Sequence, residues 1–168
     1  MNFTQFRSVT GLVVVAFSVA ASAYAADVAE LFSKADASKL LGQPVVDVRV
    51  IGPEKDDDAP AEGTHWIYRA GESAVVVTRM TFASATEAKK FTTPEFVKKQ
   101  MDESESTVFA ESGVGEKSFW AVSAEGAAWT FLKGNQIASV GMGGKKSGSP
   151  ESYKAALKAA ALAVAAKL

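Results

Sequence analysis

The chain has 168 residues, 48% of them hydrophobic, with 18 lysines and arginines against 19 aspartates and glutamates. That near-neutral balance gives no electrostatic ground for a nucleic-acid partner. Cysteine is absent, which excludes a disulfide framework, a thiolate metal site, a cysteine nucleophile and a lipidated N-terminal cysteine.

The N-terminal stretch reads as an export signal. Arg7 is the only charged residue before Asp27, an apolar run extends from Gly11 to Ala20, and the small residues Ala23 and Ala25 precede Ala26 in the order of a cleavage site. The run is shorter than the roughly 20 residues of a membrane span. The expectation is a signal peptide over residues 1–25 and a single α+β domain over residues 26–168. The mature chain is expected to be soluble and periplasmic or secreted, in a bacterium, without a membrane span. The 143 residues left are enough for one core held by packing alone.

Asp27 to Gly42 reads as an opening helix with Leu31, Ala35, Leu40 and Leu41 on its apolar side. Gly42 and Pro44 end it, and Ser33 or Asp36 offers an alternative start. Val45 to Ile51 alternates as a strand, so Val46, Val48 and Val50 are expected on a buried face and Asp47 and Arg49 on a wet one. Gly52 to Gly63, rich in proline, glycine and acid, reads as a loop.

Two strands follow, Thr64 to Ala70 and Ala74 to Phe82, with Val76, Thr78, Met80 and Phe82 on one side of the second and Val75, Val77, Arg79 and Thr81 on the other. Ser84 and Glu87 form a capping box for a helix from Ala85, and Thr93-Pro94 restarts a second segment carrying Phe96, Val97 and Met101. After a short strand near Thr107, Lys117 to Ser123, Ala127 to Leu132 and Gln136 to Met142 form a meander. A last helix after Pro150 carries a stripe of Tyr153, Ala156, Leu157, Ala160, Ala161, Val164 and Leu168. Short connections within each strand group imply a single antiparallel sheet flanked by helices.

No catalytic constellation emerges. His65 is the only histidine, so neither a triad nor a multi-histidine metal site can be built around it, and its place reads as an exposed strand start. Asp56-Asp57-Asp58 supplies enough oxygen for calcium but lacks the alternating ligands of a calcium loop. Gly113-Val114-Gly115-Glu116-Lys117-Ser118 lacks the glycine before the lysine and the following helix of a phosphate loop, so it reads as a glycine turn. No cofactor is expected.

The aromatic residues are the one feature with two readings. Trp66 and Tyr68 share a strand face, as do Trp129 and Phe131, while Phe119 and Trp120 must point oppositely. The area of each ring favours a place in the core. If one sheet face is open, Trp66, Tyr68, Arg79 and Trp129 are the candidate ligand-binding residues.

Leu40-Leu41-Gly42-Gln43-Pro44-Val45, Gly113-Val114-Gly115 leading to Phe119-Trp120, Leu132-Lys133-Gly134-Asn135 and the alanine-rich last helix together resemble a broad group of small exported bacterial proteins of unknown function. Many of these are lipoproteins, and their expected architecture is similar to the PsbP-type α/β/α sandwich. Members often carry two cysteines, at positions that correspond to Ala29 and Trp66. A small residue facing a large ring would replace such a bridge by packing. The resemblance carries no catalytic residues and implies a non-enzymatic role, binding an envelope protein or a small molecule. A periplasmic hydrolase of unfamiliar type and a calcium-dependent module remain the other readings. N-terminal sequencing of the exported protein should begin at Ala26, whereas an intact Met1 would refute the leader.

Overall fold

The strands form where the alternation is strongest: β1 (Asp47–Glu54), β2 (Ala61–Ala70), β3 (Ser73–Phe82), β4 (Thr107–Glu111), β5 (Lys117–Val122), β6 (Gly126–Lys133) and β7 (Gln136–Gly144). They make one seven-stranded antiparallel sheet in the order β1-β2-β3-β7-β6-β5-β4. Each run of consecutive strands is a meander, and the two runs join where β3 meets β7. Helices that accompany the sheet among the described residues include α1 (Lys34–Leu41), α2 (Ala85–Lys90) and α3 (Lys154–Ala165), the last entered through a 3-10 turn over Pro150–Tyr153. The fold is α+β. This computed structural model describes residues 31–54, 61–93, 95–96, 99, 106–144 and 149–168.

Cross-strand register decides which side chains share a face. Val77 stands opposite Trp66 on β2 and Val140 on β7; Trp129 stands opposite Val140 and Trp120. This set lies buried with Tyr68, Val75, Phe131 and Met142, beneath Ala37 and Leu41 of α1 and Leu157, Ala160, Ala161 and Val164 of α3. The Trp120 and Trp129 ring centroids are 6.0 Å apart, and Phe32 meets Tyr68 edge-on at 6.1 Å. The Tyr68 hydroxyl donates to the Phe32 carbonyl, so the one polar atom of that ring is satisfied inside the core. Each such ring contributes about 1.5–3 kcal/mol by leaving water.

The other face holds a smaller cluster at one end. Ala88 of α2 packs with Ala61, Phe82, Leu132 and Ile137, and Phe91 lies 4.9 Å from Phe82. Phe96, in the helical turn that follows, meets Phe91 edge-on at 5.0 Å. The Phe96 N–H is accepted by the Thr93 hydroxyl, as the restart at Thr93 requires. Val97 and Met101, expected on the same side, lie outside the described residues.

Several boundaries differ from the sequence reading, each for a local reason. The opening helix begins after Ser33, whose hydroxyl accepts from the Asp36 N–H at 3.0 Å and donates to its carboxylate at 2.6 Å. Leu31 and Phe32 are therefore buried ahead of the helix, and Ala35 is exposed. Residues 27–30 lie outside the described residues. Gly42, at φ 68°, ends the helix by donating to Lys39. β1 continues through Glu54 and β2 starts at Ala61, so the expected loop is narrower at both ends, and the run Asp56–Asp58 lies outside the described residues.

Two burial expectations are corrected. Ala156 is exposed, because α3 packs through Leu157, Ala160, Ala161 and Val164. Val46, Val48 and Val50 are not in the core but 75%, 39% and 41% exposed. β1 is an edge strand, and the helices over this face lie against β2 and β3 (α1) and β6 and β7 (α3), short of it. Urea unfolding checks this division of labour: Trp129→Ala should cost about 3–5 kcal/mol, whereas Val46→Ala should stay within about 0.5 kcal/mol of the parent.

Candidate functional site

Trp66, Tyr68, Arg79 and Trp129 all project from the same face of the sheet, as the register demands. That face is the one α1 and α3 cover. Trp66, Tyr68 and Trp129 are buried, so their side chains stand in the interior, the place that ring area favours, and do not line an open surface as the alternative binding reading required. The physical reason is the helices' small side chains: Ala37, Ala160 and Ala161 let α1 and α3 lie close on the large rings.

Arg79 is half-buried at the margin of this core, with its guanidinium 5.6 Å from the Trp66 ring centroid. The Lys158 ammonium stands 5.2 Å from that of Trp129. Both cations stand over indole faces, where the ring quadrupole attracts them. The Trp129 indole N–H has no hydrogen-bond partner among the described residues.

The opposite face has a different character. Register aligns His65, Thr78, Ser139, Thr130 and Phe119 in one row across β2, β3, β7, β6 and β5. His65 Nδ1 lies 3.1 Å from the Thr78 hydroxyl, and the Thr130 hydroxyl donates to that of Ser139 at 3.1 Å. All five residues are half-buried. His65 is thus part of a sheet-face network within β2, not an exposed strand start. The neighbouring row runs Ile67, Val76, Gly141, Ala128 and Ala121. With no side chain at Gly141 and a single methyl at Ala128, the sheet has a low floor between Val76 and Phe119. Among the described helices only α2 packs on this face, at the end marked by Phe82, Leu132 and Ile137.

Alternation announces both rows, since Thr78 and Phe119 sit out of phase with the buried residues on their own strands. What the sequence alone conceals is that Ser139 and Thr130 fall beside Thr78, because that depends on β7 inserting between β3 and β6.

A second concavity, about 550 Å³, lies at the end of α3, lined by Gly115, Glu116, Lys133, Leu162, Ala165 and Ala166. Its polar groups serve the fold. Glu116 Oε1 accepts the Gly134 N–H at 2.8 Å, its other oxygen lies 3.6 Å from Lys89 Nζ, and its own N–H donates to Leu132. Lys133 Nζ donates to the Ala165 carbonyl at 2.6 Å, where a cation suits the helix C-terminus. Gly115 has φ 63°, and a Cβ there would stand 2.3 Å from the Leu132 oxygen, so only glycine permits this approach. The glycine run is a turn tied to β6, with Val114 buried under it.

Among the described residues no group of three or more histidine, cysteine or acidic side chains converges, and no helix is long and apolar enough to cross a membrane. No family model matches the sequence, and no curated protein matches it.

The Glu116 carboxyl is held below its ordinary value of 4.5, first by the Gly134 N–H and further by Lys89. A depressed folded value means that the carboxylate's contribution to stability is complete above the unfolded pKa and is lost as pH falls through the folded one. An NMR titration should place the Glu116 midpoint below 4.5. Glu116→Gln should be less stable than the parent at neutral pH, and the gap should close as the medium is acidified below that midpoint. A midpoint at or above the ordinary value would refute the assignment.

Proposed function

We propose that this chain is an exported, non-catalytic binding domain of the bacterial periplasm or exterior. It takes up an envelope protein or a small molecule on the sheet face opposite α1 and α3. The observation that carries this reading is the half-buried row of His65, Thr78, Ser139 and Thr130, set beside the low floor of Gly141 and Ala128. An antiparallel sheet packs one face on its core and commonly leaves the other open to water. Here the centre of the face offers hydroxyls and an imidazole, with Ile67, Val76 and Phe119 as apolar flanks. Such a mixture suits a ligand that hydrogen-bonds along one edge and stacks or packs along the other.

The antiparallel sheet with helices on both faces supports a kinship with the PsbP-type sandwich of small exported bacterial proteins. The leader over residues 1–25 supports the location. Titration of isotope-labelled protein with fractionated envelope extract tests the surface. The Thr78, Thr130 and Ser139 amides should shift before those of α1 and α3, and Ser139→Trp, which fills the low floor, should abolish the response. A response centred on the helix-covered face, or none from any fraction, would overturn the proposal.

A further inference from the structure

The outer edge of β1 has no partner strand among the described residues, since β2 occupies only its inner side. A free edge is a template for another strand, and sheets usually blunt it with a bulge, a proline or a lysine. On β1 the register shift and Pro53 come only after Ile51. Asp47 to Ile51 pairs with β2 without a shift, and Val48 and Val50 of that segment, with Val46 just before it, are 39%, 41% and 75% exposed. A single exposed valine needs no explanation, but three on one side of a free edge do.

The segment is self-complementary. Val46-Asp47-Val48-Arg49-Val50 has the same chemical pattern from either end, except that Asp47 and Arg49 exchange sign about Val48. We propose that β1 pairs antiparallel with β1 of a second copy of this chain, about a two-fold axis at Val48. In that register Val48 meets Val48, Val46 meets Val50, and Asp47 meets Arg49 twice. Neighbouring registers fail. A shift of one residue sets valines beside charges, because it exchanges the faces. Centring on Arg49 or on Asp47 opposes like charges directly.

Within one copy the Arg49 guanidinium already lies 3.1 Å from the Asp47 carboxylate, on the face away from the valines, with both side chains nearly half exposed. Pairing would place each arginine between two aspartates, its own and the other copy's, in an alternating cluster of four charges. The contact is isologous, so it closes after two copies and does not propagate. With the axis perpendicular to the sheet, both pairs of helices, α1 and α3, stand on the same side and the valine stripes meet between them. The dimer is independent of the ligand-binding proposal, because the row at His65, Thr78 and Ser139 stays open in either state.

Sedimentation equilibrium on the purified protein, from micromolar to near-millimolar, tests this directly, with circular dichroism to verify the fold of each variant. The parent should show a monomer–dimer equilibrium that weakens with salt. Val48→Lys, which opposes two ammonium groups on the axis, should raise the dissociation constant by about tenfold or more. Asp47→Arg and Arg49→Asp should each weaken self-association by about tenfold, yet an equal mixture of these two variants should form a mixed dimer. The double exchange Asp47→Arg with Arg49→Asp should restore self-association. A parent that is monomeric throughout the range, a dimer indifferent to Val48→Lys, or single variants that fail to complement one another would each overturn the proposal.

Discussion

Everything in this molecule depends on a single layer of rings held between the sheet and two helices. Trp66 and Tyr68 of β2, Trp120 of β5, and Trp129 and Phe131 of β6 come from three strands, yet alternation sends them all to one side. With no cysteine to cross-link the chain, that layer has to supply the stability that many exported domains draw from disulfides. Large rings leave little room for a cover of equally large side chains. The covering helices are accordingly built on alanine at Ala37, Ala160 and Ala161, with Leu41, Leu157 and Val164 filling between. Arg79 and Lys158 then close the margins over Trp66 and Trp129, where a smaller side chain would admit water to the indole.

Concentrating the rings on one side leaves the other side poor in them. α2 is a short helix anchored by Ala88, Phe82 and Ile137, and its cluster occupies only one end of that face. The centre is given to Thr78, Ser139, Thr130 and His65, which bond in pairs and need no apolar cover to be satisfied. The asymmetry is thus a consequence of the core: a domain this small has enough large side chains to seal one face well, and the second face keeps a polar centre.

Much of the fold was legible in the sequence because it is written in local signals. The period-two runs located β1, β2, β3, β5, β6 and β7, with β4 legible only as an optional short strand, the Ser84–Glu87 pattern located α2, and Gly42 marked the end of α1. The errors arose where a local pattern needed a tertiary partner to acquire meaning. Val46, Val48 and Val50 alternate like core residues, and only the strand order shows that β1 lies at the edge beyond the helices. Likewise the rings at Trp66, Tyr68 and Trp129 were correctly grouped on strand faces, but which face the helices choose is settled by packing across the whole sheet. His65 looked peripheral because the strand was read as starting at Thr64, whereas β2 begins at Ala61. The hydroxyl row could not be read at all, because Thr78 and Ser139 are neighbours only by virtue of β7 lying against β3.

The same reasoning explains why β1 differs from the opposite edge. β4 also ends the sheet, and Phe109 there is 48% exposed. Its segment Thr107-Val108-Phe109-Ala110-Glu111 has no sign exchange about a centre, so self-pairing would gain no charge complementarity. Its one acid, Glu111, is already engaged by Lys154 across from the start of α3. An edge with a single acid, bound to a helix off the strand, carries no pattern of opposite charges to specify a register. On β1 the two charges lie along the strand itself: Asp47 and Arg49 are exposed and of opposite sign, and Val46, Val48 and Val50 around them are 75%, 39% and 41% exposed. Specific association requires both an apolar strip and a device that rejects wrong registers, and of the two edges only β1 has the two together.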